Sequence, residues 1–171
     1  IFAGDNGLAV GQHGLMGKQN LYDHSIRVPL IISGPGIPKG EKRDSYVYLL
    51  DIFPTLCDIL DIDIPGTVEG KSFKNVIDNE DENIRKTLYL AYEDLIRGVK
   101  KDGYKLLKYR SKGQLYQELF NLEEDPYEIN NLYHQKKYQG LIEELEVLIN
   151  TYKDKWDDEQ HEMGERYWNK T

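Results

Sequence analysis

The sequence predicts an incomplete α/β layer over residues 1–85. An α+β subdomain follows over residues 86–171, a small antiparallel sheet of three or four strands with a packed terminal helix. Three observations predict this. Two apolar runs, Ile1-Phe2-Ala3 and Val28-Pro29-Leu30-Ile31-Ile32, each stop at turn residues. From residue 86 the texture changes to short strand-like runs around Asp102-Gly103, a strong hairpin signal. Leu141, Leu145, Leu148 and Tyr152 then recur at helical spacing, with Ile142 and Ile149 alongside.

Taken in order, Ile1-Phe2-Ala3 reads as the end of a buried strand entering the turn Gly4-Asp5-Asn6-Gly7. A chain that opens inside a core strand is expected to belong to a longer protein. Residues 7–24 hold Gly7, Gly11, Gly14 and Gly17 among polar residues, too Gly-rich for a helix and without period-2 alternation. A long irregular loop of this kind is usually functional. Residues 28–32 read as a buried, parallel-type strand stopped by Gly34-Pro35-Gly36, and residues 45–50 as a second strand. Residues 51–60 read as a helix. Pro54 fits its first turn, the N-cap falls near Asp51, and Leu56, Ile59 and Leu60 make the buried stripe. A helical turn is expected within residues 71–78. Strands are expected at 87–92, 95–100, 104–109 and 114–121, and a helix in the second half of 130–152. Residues 153–171 read as a surface helix or a tail docked by Trp156, Tyr167 and Trp168.

Composition bounds the function. The 171 residues carry a formal net charge of −8, which lacks the electrostatic footprint of a nucleic-acid binder. The longest apolar run is about five residues, against about 20 for a membrane span. Cys57 is the single cysteine, so neither an internal disulfide framework nor a Cys-rich zinc site is possible. It lies in an apolar stripe with no adjacent base and reads as a small core residue.

A few residues could carry chemistry. Asp5 and Asn6 follow a strand end, where open α/β sheets place ligands. Their oxygens suit Ca²⁺ or Mg²⁺, although the same residues form Asx turns for local reasons. Lys18, after Gly17, is either an anion contact or a solvated lysine. His13 is either a donor or proton carrier to an anionic substrate, or a ring that packs the loop. His24 and Arg27 read as residues that fix the loop.

Together the runs Phe2-Ala3-Gly4-Asp5-Asn6-Gly7, Gly11-Gln12-His13-Gly14-Leu15-Met16-Gly17-Lys18 and Tyr22-Asp23-His24-Ser25-Ile26-Arg27-Val28-Pro29, with Gly34-Pro35-Gly36, resemble the second half of the type I sulfatases, which have the alkaline-phosphatase-like fold. Asp51-Ile52-Phe53-Pro54-Thr55, Asp102-Gly103-Tyr104-Lys105-Leu106 and Glu118-Leu119-Phe120-Asn121-Leu122 extend the resemblance to about residues 1–135. Their order and spacing carry the match more than any one motif does.

The resemblance implies one Ca²⁺ held partly by Asp5 and Asn6, and a sulfate contact from Lys18. It also implies a formylglycine nucleophile made from a Cys/Ser-x-Pro-x-Arg motif. That motif is absent from these residues, since Cys57 is followed by Asp58-Ile59-Leu60, and two further metal carboxylates of the family are missing. The expected function is hydrolysis of sulfate esters, including those of sugars. The N-terminal part of the same protein is the expected partner, and the chain alone is expected to be inactive. A phosphoester or phosphonate monoester hydrolase on the same fold, or a non-catalytic interaction module, are the alternatives. Asn6 favours the calcium-dependent sulfatase.

Overall fold

The computed structural model describes residues 1–169. Its largest element is a four-stranded antiparallel meander, β5(Thr87–Tyr92), β6(Ile96–Lys101), β7(Tyr104–Ser111) and β8(Gln114–Asn121), paired in that order. Asp102 and Gly103 both take positive φ, 47° and 76°, as a tight hairpin turn requires. Lys112-Gly113 repeats the geometry at the next hairpin, a turn that the sequence reading did not single out.

One face of the sheet presents Val99, Leu106 and Leu119, which are opposite one another across β6, β7 and β8. The helix α4(Gln139–Lys155) covers them with Ile142, Leu145 and Ile149, all fully buried or nearly so. The expected stripe is therefore rotated slightly: Leu141, Leu148 and Tyr152 flank the buried line rather than form it. The C-terminal segment docks on the same face. A 3₁₀ turn, Asp158–Gln160, leads into α5(Glu162–Trp168), and Gly164 passes so close to the turn that a Cβ would lie 1.6 Å from the Asp158 carbonyl oxygen. Asp158 receives Nε and an Nη of Arg97, the Tyr89 hydroxyl and the Trp168 indole N–H, all within 3.0 Å. Arg97, 1% exposed, also lies over the Tyr167 ring.

The other face is filled from a distant part of the chain. Leu21 and Tyr22 pack with Leu90, Ile96, Leu107 and Phe120. Two compact units result, and they do not follow chain order. One comprises Ile1–Asp5 with Pro29–Lys86; the other joins Asn6–Val28 to the chain from Thr87 onward.

In the first unit, β1(Phe2–Ala3) pairs with β4(Leu30–Ile31). The pairing is antiparallel, not the parallel type expected, and Phe2 and Ile31 are exposed. Residues 45–50 are not a strand. The Asp51 carboxylate accepts the Tyr48 N–H at 2.7 Å and the chain turns into a 3₁₀ segment, Leu49–Asp51, before it can extend. The helix α2(Ile52–Ile59) follows, with Pro54, Thr55 and Cys57 inward. Leu56 and Leu60 are exposed, which corrects the expected stripe. The inner line is set by Thr55, whose hydroxyl donates to the Asp51 carbonyl and accepts the Phe73 N–H. Asp51 is itself fully buried. It takes a bidentate Arg85 and the Lys71 N–H, so every oxygen of a costly buried charge is satisfied. The helix α3(Lys74–Asp78) brings Val76 and Ile77 against Phe73.

Candidate active site

The segment 6–28 is more ordered than the irregular loop expected. Strands β2(Ala9–Val10) and β3(Met16–Gly17) form a small antiparallel ladder around a 3₁₀ turn, Gln12–Gly14. Two-residue strands are too short for their period to show in the sequence. The one-turn helix α1(Asp23–Ile26) follows. Gly7 is required by a close approach: its N–H donates to the Ser25 carbonyl at 2.8 Å, and a Cβ there would sit 2.0 Å from the His24 carbonyl oxygen.

His13 sits in the left-handed region with φ 54°. Its ring stacks on Tyr22 at 3.9 Å with planes 6° apart, and His24 stacks at 5.7 Å from both. His13 Nε2 lies 3.0 Å from the Tyr127 carbonyl oxygen. A carbonyl can only accept, so Nε2 carries the proton and Nδ1 is the acceptor of the neutral ring. The Tyr22 hydroxyl donates to Glu118 at 2.9 Å; burial, and the neighbouring carboxylate, push it up to about 12. His24 is held below its ordinary value by burial, then by His13 and the Lys105 ammonium.

Beneath the stack lies an ion cluster that sequence reasoning missed. Lys105 Nζ is fully buried and donates to Glu128 Oε1 at 2.7 Å, to Asp23 Oδ1 and to the Leu21 carbonyl. Glu128 Oε2 accepts the Asp23 N–H at 2.6 Å, and Lys100 reaches Asp23 Oδ2 at 2.9 Å. The two carboxylates respond oppositely. Burial opposes ionisation of Asp23, but Lys105 and Lys100 together outweigh it and hold it low. Burial dominates for Glu128, which has one ammonium against the two of Asp23, so its value rises. The available signal was Lys105 itself, a lysine at an inward-facing position of a strand.

Lys18 is exposed on the segment between His13 and Asp23; its N–H donates to the Gln19 side chain and its carbonyl accepts from Asn20. Asp5 closes the first unit and Asn6 opens the second, the former exposed and the latter half-buried. Each side chain carries a hard oxygen donor of the kind that Ca²⁺ takes. Among the described residues no three His, Cys, Asp or Glu side chains gather as a complete metal site. The structure thus brings His13 together with Tyr22, His24 and Tyr127.

A family model described as N-sulphoglucosamine sulphohydrolase, C-terminal, matches residues 11–155. This chain belongs to the sulfatases. It is 33% identical to an arylsulfatase of Clostridium perfringens over 156 residues, covering 87% of the chain and 32% of that protein. It is 28% identical to an N-acetylglucosamine-6-O-sulfatase of Bacteroides thetaiotaomicron, covering 94% of the chain and 31% of the relative. Among solved structures it superposes with a TM-score of 0.83, at 26% identity, on a protein in complex with its substrate D-glucosamine-2-N,6-O-disulfate. That match covers 95% of this chain and 35% of the other. A phosphonate monoester hydrolase of Agrobacterium radiobacter, 24% identical and covered to 34% of its length by 88% of this chain, shares the fold with a TM-score of 0.72. The chain spans about a third of the length of the curated relatives it matches. No helix among the described residues is long and apolar enough to cross a membrane.

Proposed function

We propose that the protein carrying this chain hydrolyses sulfate esters, those of carbohydrates foremost. The observation that carries the reading is the segment Asn6–Val28. It presents Lys18 and His13 on a pinned scaffold, within a chain whose relatives include an arylsulfatase and a carbohydrate sulfatase. Cleavage of a sulfate ester builds negative charge on the sulfate oxygens and on the leaving oxygen. Lys18 supplies a compact cation on an exposed strand end, where it would meet a sulfate oxygen. His13, its Nε2–H committed to Tyr127, would donate Nδ1–H to the anion as the charged imidazolium. Asp5 and Asn6 would hold part of the shell of a Ca²⁺ ion, which when bound supplies further charge neutralisation. The formylglycine nucleophile and the remaining metal carboxylates would come from the N-terminal part of the same protein. The chain alone is then inactive.

The test is turnover of an aryl sulfate, of a 6-O-sulfated glucosamine and of a phosphonate monoester by the full-length protein and by this chain. The full-length protein is expected to favour a sulfate ester, with no turnover by the chain. Lys18→Ala is expected to lower turnover about 10²- to 10³-fold, as loss of one preorganised contact to developing charge does, with melting temperature and bound calcium retained. Asp5→Ala should lose calcium as well. Full activity in Lys18→Ala, or turnover by the isolated chain, would overturn the assignment. Preference for the phosphonate would select the alternative hydrolase.

A further inference from the structure

The turn that follows β8 grips the candidate catalytic segment at two places. The turn is closed by the Glu128 N–H on the Asp125 carbonyl at 3.0 Å and by the Asn130 N–H on the Asp125 carboxylate at 2.7 Å. From it the Tyr127 carbonyl accepts His13 Nε2–H, and the next residue, Glu128, accepts the Asp23 N–H. Lys18 lies midway in sequence between those two anchors. Glu128 is 1% exposed, and its φ is 59°, a conformation that non-glycine residues hold only when their surroundings impose it. Lys105 completes the grip by bridging Glu128, Asp23 and the Leu21 carbonyl. For stability alone, a buried ion cluster is commonly replaceable by apolar groups of similar volume. This one joins two strands' worth of core to a segment that begins more than 80 residues earlier.

We propose that Glu128 and Lys105 are positioning residues: they clamp the 13–23 segment onto the C-terminal sheet and so fix where His13 and Lys18 stand for the reaction. The proposal rests on the sulfatase reading for its catalytic consequence, and on the hydrogen bonds above for the clamp. Replacing Lys105 by Met and Glu128 by Gln removes one charge of each sign and leaves Asp23 paired with Lys100.

The experiment compares Lys105→Met/Glu128→Gln with the wild type in the full-length protein. It reads kcat and KM on a sulfate ester, melting temperature, and amide hydrogen exchange over residues 6–28. The clamp predicts faster exchange in 12–23 and a kcat lowered about 10- to 100-fold, as small misplacement of a catalytic group costs, with a melting temperature within a few degrees of wild type. Unchanged exchange in 12–23, or faster exchange with wild-type kcat, overturns it. A fall in kcat that tracks a general loss of melting temperature also overturns it. Should the double variant fail to fold, Glu128→Asp, which keeps the charge and retracts the carboxylate by one methylene, is read by the same criteria. If the wild type turns over no sulfate ester, the sulfatase reading fails. Exchange alone then decides whether the clamp exists.

Discussion

The two faces of the β5–β8 sheet are built by different means. On one, Val99, Leu106 and Leu119 meet the apolar line of α4, and the C-terminal segment adds Asp158 under Arg97. On the other, Leu21 and Tyr22 bring a polar segment whose ions, Asp23, Lys105 and Glu128, are taken into the interior with it. Alternation along β7 sorts the two: Leu106 faces the helix, while Lys105 and Leu107 face the 20–26 segment. The helix face burial is non-directional and tolerates small shifts. The segment face depends on hydrogen bonds, which fix position to a fraction of an ångström at the expense of desolvation. A face that carries candidate catalytic groups gains from the second kind of joint.

The largest effect should come from the buried ion pair on the helix face, Arg97 with Asp158. Asp158→Ala removes the counter-charge of a buried guanidinium, leaving it only the Glu93 and Ile96 carbonyls, together with the acceptor shared by the Tyr89 hydroxyl and the Trp168 indole. Breaking a buried pair by removing one partner typically costs about 3–5 kcal/mol. Urea unfolding of the 171-residue chain should show a loss of that size. A loss below about 1 kcal/mol, the worth of an exposed pair, would mean that the C-terminal segment is not docked as described.

Leu145→Ala comes next. The side chain is fully buried among Val99, Leu106 and Leu119, and a Leu→Ala change in such a site costs about 2–5 kcal/mol. The loss should appear at unchanged exchange in residues 6–28 relative to the rest of the unit, because Leu145 packs on the opposite face of the sheet from Leu21 and Tyr22. Selective loosening of 6–28 would break the distinction between the faces.

What was legible in the sequence follows the same division. The sheet and its helix were readable because their signals are local: Asp102-Gly103 for the turn, and the 3.6-residue recurrence of Leu141, Leu145 and Leu148. The motifs around Asp5, Lys18 and Tyr22 were readable as a family pattern. The clamp was not. Lys105 stands at an inward-facing strand position, but its partners Asp23 and Glu128 lie 82 and 23 residues away, and no local pattern joins them. Residues 49–60 misled for a related reason. Leu56 and Leu60 keep helical spacing but stand on the outer side of α2, while Asp51 and Thr55 hold the inner side through hydrogen bonds that no periodicity reveals.

The smallest predicted effect is a difference in how the faces meet acid. His24 lies in the segment face and is held below its ordinary value of 6.5, so it is neutral in the fold and takes a proton more readily when unfolded. Stability tied to it is full above pH about 6.5 and declines as the pH falls toward the folded value. Asp158, on the helix face, has the opposite chemistry. Burial works against its charge, but Arg97, Trp168 and Tyr89 outweigh burial and hold its value below 3.8. Its contribution is present above that pH and lost only as the pH falls through the folded value. Glu128 is raised above 4.5, so protonating it relieves a buried charge and offsets part of what Asp23 loses. On titration from pH 7.5 downward, exchange protection in residues 20–26 should weaken once the pH falls below about 6.5. Protection in residues 158–168 should hold until about 4. His24→Phe, which keeps the stack and removes the titration, should abolish the early phase. Simultaneous loss of both segments near pH 4, in wild type and variant alike, would show that His24 does not set the acid response of its face.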